Sequence, residues 1–293
     1  MFRPINHVLI YKGHVQNSLL GPYPENIRKR IEMFHLLNEY RVNRPQWNIT
    51  AVSGEDLTSV LQDHPTEETL LVIPAGQSTH LDRVFSRDQT SFLKKWFESG
   101  GRGYFNCGSA YWVSEKRIYS DLCVEQPTQQ STFIKASQLP LFQGVSEGPL
   151  CPYPGKEYKV GFFSDAVSVT DGSNKCTIFL SGGGSFFPRE TGQKVRVLVR
   201  YLPSELKRLS RNRDYSAWKN AVILVSVGKG AALLSMFHPY YGPQDIDVDR
   251  YNKELPFSGT NWEEVHSRLS PLDVRMRFVL NAMLGPLENP SFE

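Results

Sequence analysis

Four short apolar runs punctuate the first third of the chain, at residues 7–11 (His-Val-Leu-Ile-Tyr), 47–52, 69–73 (Thr-Leu-Leu-Val-Ile) and 104–106. The runs at 7–11 and 69–73 are uninterrupted by polar alternation, which suits strands covered on both faces, as in a parallel sheet, and 47–52 reads as a further strand. Between them the spacing changes. After a turn-forming stretch at 20–24, Ile27, Ile31, Phe34 and Leu37 recur at intervals of three and four among Lys, Arg and Glu, and this predicts an amphipathic helix. Ser53-Gly-Glu-Asp reads as a second helix start. Residues 88–98, with Phe92, Leu93, Trp96 and Phe97 on one face, read as a helix stopped by Gly100-Gly101. Strand and helix alternate, so the predicted class is α/β, with a mostly parallel central sheet and flanking helices.

From about residue 121 the texture becomes β-rich. Short apolar or alternating runs at 132–134, 158–163, 176–180, 195–201, 221–227 and 231–237 are separated by Pro, Gly and Asn, and 149–154 and 181–188 read as loops. Gly228-Lys-Gly predicts a hairpin. The chain closes on two predicted helices, 262–269 and 271–284, the second with Pro271 in its first turn and Gly285 as its stop. No segment repeats and no stretch has a linker's composition, so residues 1–293 are expected to form one domain.

Composition narrows the function classes. At 40% apolar and 22% charged residues this is a chain able to build a core, not a disordered one. Its formal net charge of +3 is spread without a dense Lys/Arg tract, which leaves no footprint for a nucleic-acid or anionic-membrane partner. Apolar runs such as 221–225 fall far short of the ~20 residues needed to span a bilayer, and the amino terminus lacks a secretory pattern, so a cytoplasmic location is expected. The four cysteines, Cys107, Cys123, Cys151 and Cys176, are widely spaced, without a Cys-x-x-Cys pair. The last three read as small buried hydrophobes. No cofactor or metal is predicted, and the triple glycine 182–184 lacks the Lys-Ser/Thr of a phosphate-binding loop.

Candidate chemistry centres on residues 97–114, which read as helix end, tight turn, buried strand, sharp bend and new helix. Cys107 sits on the bend. A side chain there stands proud of the sheet and faces free helix amides, as a nucleophile requires. The same bend wants small residues two places to either side, where this chain has Phe105 and Ser109. His238, in Phe237-His238-Pro239 at the end of a predicted strand, is the candidate base. The backbone amides of Gly76 and Gly108 are the candidate oxyanion donors. His80, in the loop after the third strand, with Tyr111 and Tyr240, are candidate pocket-lining residues beside the aromatics Trp112, Phe186 and Tyr241; the competing reading is an exposed loop histidine and ordinary aromatic packing.

Five segments taken together carry a resemblance: Tyr-Phe-Asn-Cys-Gly-Ser-Ala-Tyr-Trp (104–112) after Gly-Gly-Arg-Gly, Val-Ile-Pro-Ala-Gly (72–76), Leu-Phe-Gln-Gly-Val-Ser-Glu-Gly-Pro (141–149), Ser-Gly-Gly-Gly-Ser-Phe-Phe (181–187) and Phe-His-Pro (237–239). They resemble the flavodoxin-like, class I glutamine amidotransferase-like fold, and within it the amino-terminal domain of biotin–protein ligases. That resemblance implies Cys107 as nucleophile, His238 as base and Gly76 and Gly108 as oxyanion amides in hydrolysis through a thioester. One departure is plain: the carboxylate of the amidotransferase triad falls two residues after the histidine, where this chain has Tyr240. Asp245, Asp247 and Asp249 are the nearby acids. The Gly-Arg-Gly-Arg-x-Gly signature of a ligase catalytic domain is missing, so the chain is expected not to be a biotin ligase by itself.

Two classes of function follow from these residues. One is a cysteine-dependent hydrolase or amidotransferase acting on an amide or acyl group. The other is a catalytically inactive module that keeps the pocket to bind a small molecule or a partner protein.

Overall fold

The computed structural model describes residues 3–13, 24–121, 131–151, 164–209, 214–254 and 260–292. The predicted turn at 20–23, the predicted strand at 158–163 and Cys123 lie outside these residues.

Thirteen strands are described: β1 (His7–Tyr11), β2 (Asn48–Val52), β3 (Thr69–Ile73), β4 (Arg102–Asn106), β5 (Ser114–Asp121), β6 (Ser131–Ala136), β7 (Phe142–Gly148), β8 (Ser164–Thr170), β9 (Lys175–Ser181), β10 (Ser185–Pro188), β11 (Val195–Tyr201), β12 (Asn220–Val227) and β13 (Gly230–Ser235). Nine of them make one sheet in the order β2-β1-β3-β4-β13-β12-β11-β8-β9. The pairings from β2 through β13 are parallel, and those beyond β13 are antiparallel. Followed strand by strand, only β12 and β8 run against the rest, so the sheet is mostly parallel, as the uninterrupted apolar runs predict.

The sheet's two faces are both covered. Val8, Ile10, Leu70, Val72, Tyr104 and Leu233 point into one core, shared with Met33, Phe34 and Leu37 of α1 (Pro24–Tyr40). Their strand neighbours Leu9, Tyr11, Leu71, Ile73, Phe105 and Leu234 point into the other. That second core is closed by α2 (Leu57–Asp63), α3 (Ser78–Val84), α4 (Arg87–Glu98) and α5 (Gly108–Trp112). Burial of each such aliphatic side chain contributes about 1.5–3 kcal/mol before the entropy of ordering is set against it. The antiparallel end is covered by α6 (Pro203–Leu209), α7 (Val248–Glu254), α8 (Trp262–Arg268) and α9 (Leu272–Phe278).

Local chemistry explains the boundaries. Ser86 caps α4 in a capping box with Gln89, and Gly100, at φ 130°, ends it in a conformation that side chains resist. Two expectations are corrected. Gly285 does not stop the last helix: it stays right-handed at φ −56°, and helical backbone continues through residues 279–284 and 285–288. Residues 185–188 are a strand rather than a loop, because β10 pairs with β7 and buries Phe186 against Phe142. The chain also turns straight from α5 into β5, and β10-β7-β5-β6 forms a separate four-stranded sheet. Alternating exposure along β7 shows why this sheet lacks the continuous apolar signal of the central strands. Among the described residues no helix is long and apolar enough to cross a membrane.

Candidate functional site

β4 is buried along its whole length and ends at the tip of the bend. There Cys107 adopts φ 51°, ψ −116°, a conformation costly for a residue with a Cβ, before α5 begins at Gly108. Three contacts hold this strand-to-helix elbow. The Cys107 N–H donates to Ser235 O at the end of β13 (2.7 Å), the Asn106 N–H donates to Ser109 Oγ (2.7 Å), and Ser109 Oγ donates to Ile73 O (2.7 Å). Ser109 is thus fitted rather than obstructive: its hydroxyl ties the ends of β3 and β4 to the first turn of α5. Phe105 packs into the core against Phe97.

Gly108 is required by close approach, since a Cβ there would lie 1.6 Å from Gly76 O. It is the carbonyl of Gly76 that faces Gly108. The Gly108 N–H faces the Cys107 sulfur, and it is the one influence that lowers the thiol pKa; burial outweighs it and pushes the thiol up to about 11. Cys107 is half-buried, and its other sulfur contact is Ser181 O at 3.9 Å.

Ser181 opens the triple-glycine loop, so the second half of the chain walls the elbow. The Tyr111 hydroxyl donates to Gly183 O (2.8 Å) and the Tyr201 hydroxyl donates to Gly184 O (2.9 Å). A Cβ on Gly184 would meet the Tyr111 hydroxyl at 2.0 Å, which explains glycine there as a matter of close packing. Tyr111 therefore seals the junction between elbow and loop. His80 is buried within α3 rather than in a loop.

His238 follows β13, where its backbone N–H donates to Phe179 O (2.8 Å) across an isolated bridge to β9. Parallel pairing of β13 with β4 brings it to the same end of the sheet as Cys107. No hydrogen bond joins the two side chains. His238 Nδ1 is instead bonded to the Tyr240 hydroxyl at 2.7 Å, and Nε2 has no partner among the described residues. Neither Asp245, which pairs with Lys29 and accepts from Gly242 N, nor Asp247, which accepts from Arg250 N, is bonded to it.

A residue outside the sequence-based set adds its charge to the surroundings of this imidazole. Arg30 of α1 is fully buried, with its guanidinium carbon 4.3 Å from the Tyr240 ring centroid and 4.8 Å from that of Tyr104. It donates to Asn106 Oδ1, next to the elbow, while Asn106 Nδ2 donates to Phe237 O, next to His238. Burial first, and the Arg30 charge second, hold the His238 pKa down at about 3. A cation thus lies behind the imidazole where a triad would have an anion. The sequence held a signal for it: position 30 falls within the apolar stripe of Ile27, Ile31, Phe34 and Leu37, so its charge turns toward the core.

A cleft of about 640 Å³, lined by Lys94, Glu98, Leu141, Gln193, Val227 and Gly228 among others, opens beside the β12–β13 turn. That is the opposite end of β13 from the elbow, and no candidate residue lines it. Among the described residues no group of three or more His, Cys, Asp or Glu is placed to hold a metal ion.

The family profile described as "Biotin-protein ligase, N terminal" matches residues 7–286. The chain is 25% identical over 193 residues to a biotin–protein ligase of Schizosaccharomyces pombe (strain 972 / ATCC 24843), an overlap of 63% of this chain and 27% of that protein. It therefore spans about a quarter of that curated relative's length. Among solved structures it is similar to a glutamine amidotransferase (18% identity, 86% of this chain and 99% of that one, TM-score 0.45) and to a glutamine amidotransferase from Thermotoga maritima (14% identity, 98% and 100%, TM-score 0.41).

Proposed function

The chain belongs to the biotin–protein ligase N-terminal family, and from that premise we propose that it is an amidotransferase-like domain that acts by binding rather than by thioester turnover. The observation that carries this reading is the partner of His238 Nδ1, a Tyr240 hydroxyl backed by Arg30. A catalytic imidazole must take the thiol proton and survive as a cation, which a carboxylate stabilises and a guanidinium opposes. Here the proton would have to leave a thiol that keeps it to about pH 11 for a ring that holds one only below about pH 3. Residues 1–293 are taken as one such domain. Its pocket serves recognition of a small molecule or a partner protein, and the S. pombe relative makes a biotin–protein ligase the first protein partner to test.

A second reading keeps cysteine-dependent amide or acyl chemistry at Cys107 and His238, with Gly76 and Gly108 as oxyanion donors. It is favoured by the positive φ of Cys107 and by the Gly108 N–H facing its sulfur. Iodoacetamide kinetics against pH separate the two. A recognition module gives Cys107 modification that keeps rising with pH toward a midpoint near 11, together with no glutamine hydrolysis above a Cys107→Ala control. Alkylation that reaches its plateau by neutral pH, or hydrolysis that the Cys107→Ala change abolishes, would establish the enzyme instead.

A further inference from the structure

Behind the elbow lies a buried cation with no counter-charge among the described residues. Arg30 is inaccessible to solvent, no carboxylate among the described residues forms an ion pair with it, and its acceptors are the neutral Asn106 Oδ1 and, at 3.9 Å, Met33 Sδ. Burying a charge without pairing it is strongly unfavourable. Three polar atoms in the same contiguous group of side chains are also buried without a hydrogen-bond partner among the described residues: Arg30 Nε, Tyr104 Oη and His238 Nε2. Contiguity is direct, because Arg30 lies against the rings of both Tyr104 and Tyr240, and Tyr240 is bonded to His238. Arg30 Nε and the Tyr104 hydroxyl are donors, and His238 Nε2 is a third in the neutral tautomer whose Nδ1 accepts from the Tyr240 hydroxyl.

We propose that this group of side chains is a binding site for a carboxylate, with Arg30 as counter-cation and Arg30 Nε, Tyr104 Oη and His238 Nε2 as hydrogen-bond donors. The chemistry selects the ligand class. A carboxylate brings one negative charge to one positive charge, and its two oxygens offer enough lone pairs for three donors. A dianion would leave a charge unmatched, and a neutral amide would leave the cation uncompensated. The inference rests on the non-hydrolytic reading, because a catalytic His238 would have to give Nε2 to the thiol instead.

Thermal unfolding of the full chain tests the site, with sodium acetate and sodium propionate titrated against sodium chloride at matched ionic strength. The expected result is a saturable rise in Tm of roughly 5 °C with at least one carboxylate. The rise disappears in Arg30→Met, and in Tyr104→Phe the half-saturating concentration increases about tenfold. Should Arg30→Met not fold, Tyr104→Phe carries the comparison, and the imidazole ¹⁵N signal of His238 in the wild-type protein must move as the carboxylate saturates. A rise no larger than that given by chloride, or one undiminished in Tyr104→Phe, overturns the site. Neither outcome depends on glutamine turnover, so failure of the site and failure of the non-hydrolytic reading are told apart.

Discussion

At the scale of single residues, the environment of His238 fixes a pH dependence whose sign can be worked out. Unfolded, the imidazole takes its proton near pH 6.5; folded, only near 3. Between those values the unfolded chain binds more protons, so stability falls as the pH falls, by up to about 1.4 kcal/mol per pH unit. Above pH 6.5 both states are neutral and the contribution vanishes. His238→Gln should therefore flatten the acid limb: urea unfolding at pH 4.5, 5.5 and 6.5 is expected to show a shallower loss than wild type. His7, lowered by burial and by His64, adds to the acid limb of both proteins and cancels in the comparison. Parallel pH profiles would show that His238 is not held neutral. Cys107, His238 and Tyr240 were all legible in the sequence as residue types and spacings. For the inverted charge behind them the sequence held only half the signal: the apolar stripe turns Arg30 toward the core, but that it meets Tyr240 and Asn106 there is set by long-range packing of α1 against the sheet.

At the scale of elements, the elbow shows what a bend costs and why this one persists. Cys107 occupies φ 51°, ψ −116°, a region that costs a side-chain-bearing residue of order 1–3 kcal/mol, while glycine enters it freely. Replacing Cys107 by glycine relieves that strain and adds about 0.5–1 kcal/mol of unfolded-state entropy, a cost that the relief outweighs. Cys107→Gly is therefore expected to be more stable than Cys107→Ala by about 1 kcal/mol in urea unfolding. Equal stabilities would mean that the backbone relaxes away from the bend in the alanine variant. The strand, the bend and the following helix were readable from 97–114, since local turn chemistry sets them. The small sheet was harder to read: β7 alternates between buried and more exposed positions, β10 has only four residues, and β5 and β10 both pair with β7 across intervening segments of the chain. Gly285 misled for a related reason, because a glycine permits a left-handed stop without imposing one, and here the helical backbone carries on.

At the scale of the whole molecule, what brings the candidate site together is strand order, which no periodicity encodes. β13 lies beside β4 although more than a hundred residues separate them, and that single parallel pairing brings His238 to the end of the sheet that carries Cys107. The parallel class was legible from buried apolar runs; the insertion of β13 depends on long-range packing of a hairpin whose turn alone is local. The opposite end of β4 is fixed by a different device. Arg102, its first residue, is fully buried and donates to Glu288 O (2.8 Å), Arg3 O (2.6 Å) and Glu67 O, joining three segments far apart in the chain. A lysine keeps the charge and loses the planar fork that reaches three carbonyls at once. Arg102→Lys leaves at least one buried carbonyl without its donor and the charge less well solvated, which should cost roughly 2–4 kcal/mol. The urea midpoint should fall with an unchanged m-value, while the pH profile of Cys107 alkylation stays that of the wild-type protein, because the clamp and the elbow sit at opposite ends of the same strand. A stability within about 0.5 kcal/mol of wild type would show that the three segments are held by packing alone, and an altered alkylation profile would show that the two ends of β4 are coupled.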